Sequence, residues 1–197
     1  MPKCRKGEPR QRIITDVERA RIFHHAPPDM RLHMLLCGDL GIRAGTAVRV
    51  KASDWDRQND VLRLTGMKHG SALVTPITAE LKAHLQAIER ESPHNPEIPY
   101  VVRARPPQMQ TIGFNDPRHY AQSMTARFRR LTTKLGIRDV RTHDLRRTFA
   151  ERLYRHTNDL RIVMDALGHR SLRSTVAYLQ RTTVQLTPEL LERIKSA

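Results

Sequence analysis

Between residues 15 and 40 the apolar positions recur at three- and four-residue spacings, which is the pattern of helices that turn one face to a core. Thr15 and Glu18 have the spacing of a capping box, and Val17, Ala20, Ile22 and Phe23 begin a short helix that Pro27-Pro28 ends. A second helix is predicted from about Asp29 to Leu40, carrying Met30, Leu32, Met34, Leu35 and Leu36, with Gly41 closing it. A short helix follows Arg43, through Val48 and Val50. From Asp60 the period changes to two. Val61 to Thr65 and Ala72 to Ile77 read as the strands of a hairpin, with Gly66 to Ser71 as its basic tip. Thr78 then caps a helix with apolar positions Leu81, Leu85 and Ile88. Residues 92–117 are rich in proline and predict the longest loop, with a strand at Tyr100 to Val102. The rest reads as helices over about 118–135, 143–156, 159–167 and 171–181, and a last one is announced by Thr187, Pro188 and Glu189. The elements predict a mostly α fold with one small antiparallel β-sheet (α+β). A flexible basic arm is expected over residues 1–12 and one domain over 13–197, with no linker between two cores.

Composition narrows the function. A chain of 197 residues that is 39% hydrophobic and 28% charged has the balance of a soluble globular domain, and no apolar run approaches the roughly 20 residues of a membrane span. No membrane partner is expected, and the expected location is the cytoplasm or the nucleoid. The net charge of +15 exceeds what solubility requires and favours a polyanionic partner, because Lys and Arg that neutralise phosphates release condensed counterions. Arg outnumbers Lys about four to one, which favours planar, two-pronged contacts to phosphate oxygens. A GC-rich genome also produces Arg-rich proteins, but it does not account for the net charge. Aromatic residues make up only 5%, so stacking platforms for single strands are not indicated and duplex DNA is the expected partner. Cys4 and Cys37 stand alone and read as reduced thiols. His24-His25 could begin a metal site, but no further ligand follows at a suitable spacing, and the pair reads as a solvated helix end. No metal or cofactor is expected.

Breaking and rejoining a phosphodiester needs a nucleophile, positive donors for the charge that builds on phosphorus, and a proton for the leaving oxygen. The densest candidate is Thr142-His143-Asp144-Leu145-Arg146-Arg147-Thr148, followed by Leu167-Gly168-His169 and then Tyr178. His143 and Arg146, at i and i+3, share a helix face. Each residue also has a plainer local reading. Arg43 fits a helix-end arginine pairing with Asp39, and Lys68 a solvated hairpin-tip lysine. His143 fits a helix cap or core histidine, His169 a polar residue ending a turn, and Tyr178 a core residue beside Leu172, Val176 and Leu179. The cluster of Arg127, Arg129 and Arg130 is a candidate for contact with a nucleic-acid backbone and equally a solvated face.

The ordered set His143, Arg146, His169 and Tyr178 resembles the C-terminal half of the tyrosine recombinases (phage-type integrases): His-x-x-Arg, then Leu-Gly-His, then a tyrosine on the following helix. Leu40-Gly41-Ile42-Arg43 is similar to the segment carrying that family's first arginine, and the register continues through Val50, Asp54 and Asp56. Gly66-Met67-Lys68, with Pro76 eight residues on, is similar to its lysine-bearing β-turn. The resemblance runs from about Thr15 to Arg181. It implies a catalytic domain over residues 13–197, with the family's N-terminal core-binding domain absent. It implies that Arg43 and Arg146 grip the scissile phosphate with His169 as a third donor, and that Tyr178 attacks to form a 3′-phosphotyrosyl link. His143 would be the base and Lys68 the acid for the departing 5′ oxygen, without metal or ATP. A site-specific recombinase or integrase of a mobile element follows. The alternatives are a catalytically weak DNA-binding regulator or relic of the same fold, and a type IB topoisomerase-like enzyme. The family also implies a homo-oligomer on DNA, up to a tetramer, through the C-terminal helix from Thr187 to Ala197, which could instead fold back on its own domain. In one departure, Thr46 stands where the family usually has an acidic residue three positions after its first arginine.

Overall fold

The helix that apolar spacing places after Pro27 lies at the centre of the molecule. In the computed structural model, which describes residues 12–65, 72–91, 97–105, 117–169 and 175, α1 spans Asp16–His25 and α2 spans Pro28–Gly38. The Thr15 hydroxyl accepts the Glu18 N–H at 3.2 Å, and the Glu18 carboxylate accepts the Thr15 N–H at 3.0 Å, completing the expected capping box. Pro28 supplies the first residue of α2, where its missing N–H costs nothing. Leu32, Leu35 and Leu36 are fully buried, each contributing on the order of 2 kcal/mol.

Around α2 pack α3 (Ala44–Ala47), α4 (Ala79–Glu91), α5 (Tyr100–Arg103) and α7 (Thr142–Thr157), and the long α6 (Pro117–Lys134) lies against α1, α3 and α7. On α4 the expected Leu81, Leu85 and Ile88 are the buried face. A smaller cluster joins α7 to α8 (Leu160–Leu167), where Ala150, Val163 and Leu167 meet Phe149 and Leu153.

Three short antiparallel strands run in the order β1 (Trp55–Asp56), β2 (Val61–Leu64), β3 (Leu73–Pro76), with Leu62 opposite both Trp55 and Thr75. Two of them are the expected hairpin, and β1 was not anticipated because two residues are too few to show alternation. The strand expected at Tyr100 to Val102 is instead the helical turn α5. Pro99 precedes the turn with its fixed φ, the Tyr100 N–H is taken by the Val50 carbonyl at 2.8 Å, and Ala104 N–H returns to Tyr100. Residues 1–11 of the expected arm, the hairpin tip with Lys68, nearly all of the helix expected at 171–181 and the C-terminal helix lie outside the described residues. Arg12, at the edge of that arm, pairs with Glu18. Among the described residues, no helix is long and apolar enough to cross a membrane.

Candidate active site

Two helix ends and one helix start converge on Arg146. At the C-terminal end of α2, Gly41 turns the chain in the left-handed region (φ +65°), and the Ile42 N–H returns to the Leu36 carbonyl at 3.0 Å. This aims the Gly41 carbonyl at α7 and starts the extended step on which Arg43 precedes α3. At the end of α8, Gly168 makes the same kind of turn (φ +59°), and the His169 N–H returns to Met164 at 2.9 Å. The Leu167 carbonyl is thereby left for a partner from α7.

That partner is Arg146, which is only 1% exposed. One terminal nitrogen of its guanidinium donates to the Gly41 carbonyl, the other to the Leu167 carbonyl at 2.6 Å and toward His169 Nε2 at 3.1 Å. The His169 Nδ1 lies 3.0 Å from the hydroxyl of Thr175, itself fully buried and helical. His143, one turn before Arg146, is exposed at the start of α7. The helix start is held by Asp144, which is buried and accepts the Arg141 N–H at 2.8 Å. Arg43 is half-buried close to both histidines, and it acts electrostatically on each. It does not pair with Asp39, whose two oxygens are each 2.8 Å from Arg19.

The site is therefore strongly cationic before any anion enters. Burial, then Arg146, Arg43 and His143, push the His169 imidazole down to about 4 from its ordinary 6.5. Partial loss of hydration and the charges of Arg146 and Arg147 also lower His143, with Asp144 opposing. Both shifts favour the neutral ring, which suits His143 to accept a proton.

Of the six residues singled out from the sequence, the structure brings Arg43, His143, Arg146 and His169 together. Lys68 and Tyr178 lie outside the described residues. Sequence reasoning missed Thr175 and the two carbonyls that hold Arg146, although Gly41 and Gly168 marked the turns that expose those carbonyls. Thr46 is half-buried on α3, its N–H bonded to the Arg43 carbonyl at 2.8 Å. The arginine cluster on α6 divides. Arg127 is not free for DNA, because it grips buried Asp29 through both oxygens, at 2.5 and 3.0 Å, and Tyr120 places its hydroxyl 3.1 Å from the same carboxylate. Arg129 and Arg130 remain exposed.

A further histidine lies behind the site. His33 of α2 is fully buried, its Nε2 3.6 Å from the Cys37 sulfur, and burial pushes it down to about 4. Burial also pushes the Cys37 thiol up to about 12, so it stays protonated. Because His33 and His169 bind protons more weakly in the fold than unfolded, stability is fully present above about pH 6.5 and is lost as pH falls toward 4. His33 alone accounts for on the order of 3 kcal/mol at the acid end. The thermal midpoint should fall over that window, and His33→Leu should flatten the fall. A slope unchanged by the substitution contradicts this assignment.

Among the described residues, no group of three His, Cys, Asp or Glu could hold a metal ion.

Comparison with known proteins places this arrangement. The phage integrase family matches the chain over residues 11–184. The tyrosine recombinase XerA of Pyrococcus furiosus is 26% identical over 199 residues, covering 98% of this chain and 64% of the relative. The tyrosine recombinase XerC of Rhizobium meliloti is 28% identical over 182 residues, covering 90% and 54%. The chain thus spans between about half and two thirds of the length of such relatives. The crystal structure of XerA recombinase superposes with a TM-score of 0.67 at 20% identity, covering 95% of this chain and 65% of that one. A lambda integrase dimer bound to a COC' core site gives a TM-score of 0.66 at 21% identity, covering 88% and 49%. At these identities the likeness is one of fold.

Proposed function

The chain belongs to the phage integrase family, and on that premise we propose that it is the DNA-cleaving and rejoining part of a site-specific recombinase. The observation that carries the reading is the buried guanidinium of Arg146, held by two backbone carbonyls with His169 beside it. A cation held by backbone carbonyls is fixed in place without its charge being cancelled by those partners, which suits it to an incoming anion.

In this reading Arg146 and Arg43 bind the non-bridging oxygens of one phosphodiester, and His169 adds a third donor. Tyr178 attacks phosphorus to give a 3′-phosphotyrosyl link. His143, neutral and exposed, accepts the phenol proton, and Lys68 protonates the departing 5′ oxygen. The covalent link conserves the energy of the broken bond, so a second strand's 5′ hydroxyl can reverse the step. Residues 13–197 form the catalytic domain, the natural partner is duplex DNA, and the working form is a DNA-bound oligomer. A lambda integrase tetramer bound to a Holliday junction has the same fold at a TM-score of 0.67. The protein works where the DNA is, in the cytoplasm or nucleoid. One observation favours a catalytically weak DNA-binding variant: Thr46 places a neutral side chain one turn after Arg43.

Strand transfer tests the proposal. With duplex DNA from the flanks of its own gene, in excess chelator and without nucleotide, the protein should join a cut strand to a new 5′-hydroxyl strand. Dependence on added divalent metal or ATP would contradict it.

A further inference from the structure

His169 offers two ring nitrogens, and their neighbours decide which one carries hydrogen. The Arg146 guanidinium has only donors, so the His169 Nε2 that it approaches at 3.1 Å is the accepting nitrogen. A neutral imidazole has one N–H, which places the hydrogen on Nδ1, and the Nδ1 then donates to the Thr175 hydroxyl at 3.0 Å. Thr175 is fully buried, so water does not compete for that hydrogen. It stands three residues before Tyr178 in the chain.

We propose that Thr175 is a positioning residue, whose hydroxyl accepts from His169 Nδ1–H and so, together with Arg146, holds the ring in the Nδ1–H tautomer with Nε2 facing Arg146 and the phosphate position. The inference rests on the recombinase reading for its catalytic consequence, but its structural core concerns the ligand-free protein. Nε2 enters the reaction as a lone pair. To donate to a phosphate oxygen it takes a proton from solvent while Nδ1–H stays on Thr175, and the ring becomes the imidazolium. Without the hydroxyl the buried Nδ1–H loses the acceptor it has at 3.0 Å, which offsets the preference that the Arg146 donors set and raises the population of the Nε2–H tautomer.

The test is nitrogen-15 spectroscopy of histidine-labelled full chain without DNA, for the wild type, Thr175→Val and Thr175→Ser. Thermal midpoints are measured alongside to confirm folding. Val keeps the shape and removes the acceptor, and Ser restores it. The wild type is expected to show His169 protonated at Nδ1, Val a mixture of tautomers, and Ser the wild-type pattern. On nicked duplex, phosphotyrosyl formation is expected to fall roughly 10- to 100-fold in the Val variant and to recover in Ser, by analogy with metal-bound histidines that lose their orienting partner. An unchanged tautomer in folded Thr175→Val, or Nε2–H in the wild type, overturns the proposal. Should the wild type form no adduct while its tautomer and that of Val behave as expected, the proposal stands and the recombinase reading fails.

Discussion

Arg146→Lys is expected to lower the rate of phosphotyrosyl formation by roughly 10³-fold, with DNA binding weakened far less. The reason is a count of hydrogens. Each terminal nitrogen of the guanidinium carries two N–H groups. One on each side is committed to a backbone carbonyl, Gly41 and Leu167. The nitrogen that holds Leu167 also reaches toward His169, so the same group that ties the two turns together faces the site an anion would enter. A lysine keeps the charge but has a single nitrogen, which cannot span both carbonyls and still face a phosphate. The carbonyls of two helix ends then lose a donor in a buried place, so a loss of about 2 kcal/mol of stability should accompany the rate effect. Single-turnover adduct formation and the thermal midpoint measure the two. A Lys variant within tenfold of the wild-type rate would show that Arg146 is structural only.

Gly41→Ala is the second large effect. The position is in the left-handed region, and an added Cβ would overlap the ring of Phe149. Strain of about 1–2 kcal/mol from the backbone and about 1–3 kcal/mol from the overlap should together lower stability by about 3 kcal/mol. Activity should fall further than stability explains, because any shift of this turn moves both the carbonyl that anchors Arg146 and the start of the step that carries Arg43. Gly45 is the matched control. It lies in α3, and nothing stands within 4 Å of a Cβ added there, so Gly45→Ala should be neutral or slightly stabilising. Equal effects of the two substitutions on thermal midpoint and adduct rate would refute the turn's role.

How much of this was legible in the sequence depended on whether the signal was local. The capping box at Thr15 and Glu18, the apolar face of α4 and the glycine closing α2 are written within a few residues, and the structure reproduces them. Tyr100-Val101-Val102 misled because β-branched and aromatic residues favour strands in general. Its conformation was decided by a hydrogen bond to Val50, far outside any local window of sequence. Arg127 sits in a charge run, and its partner Asp29 lies on another helix, so the run alone could not separate it from Arg129 and Arg130. In the site, the i and i+3 pairing of His143 with Arg146 was visible, as was the Gly-His turn. The grip on Arg146 was not, because backbone carbonyls have no side-chain signature. Thr175 escaped notice for a related reason. A threonine ahead of a tyrosine looks ordinary until His169 is seen to point at it.

The measurement that goes straight to the central claim is covalent capture. Protein is incubated with nicked duplex DNA from the flanks of its gene, denatured in SDS, and compared with Tyr178→Phe. The wild type should give an SDS-resistant protein–DNA adduct, and the Phe variant should give none while binding the duplex as tightly. An adduct that persists in Tyr178→Phe, or none from a wild type that binds duplex tightly, would contradict cleavage through Tyr178.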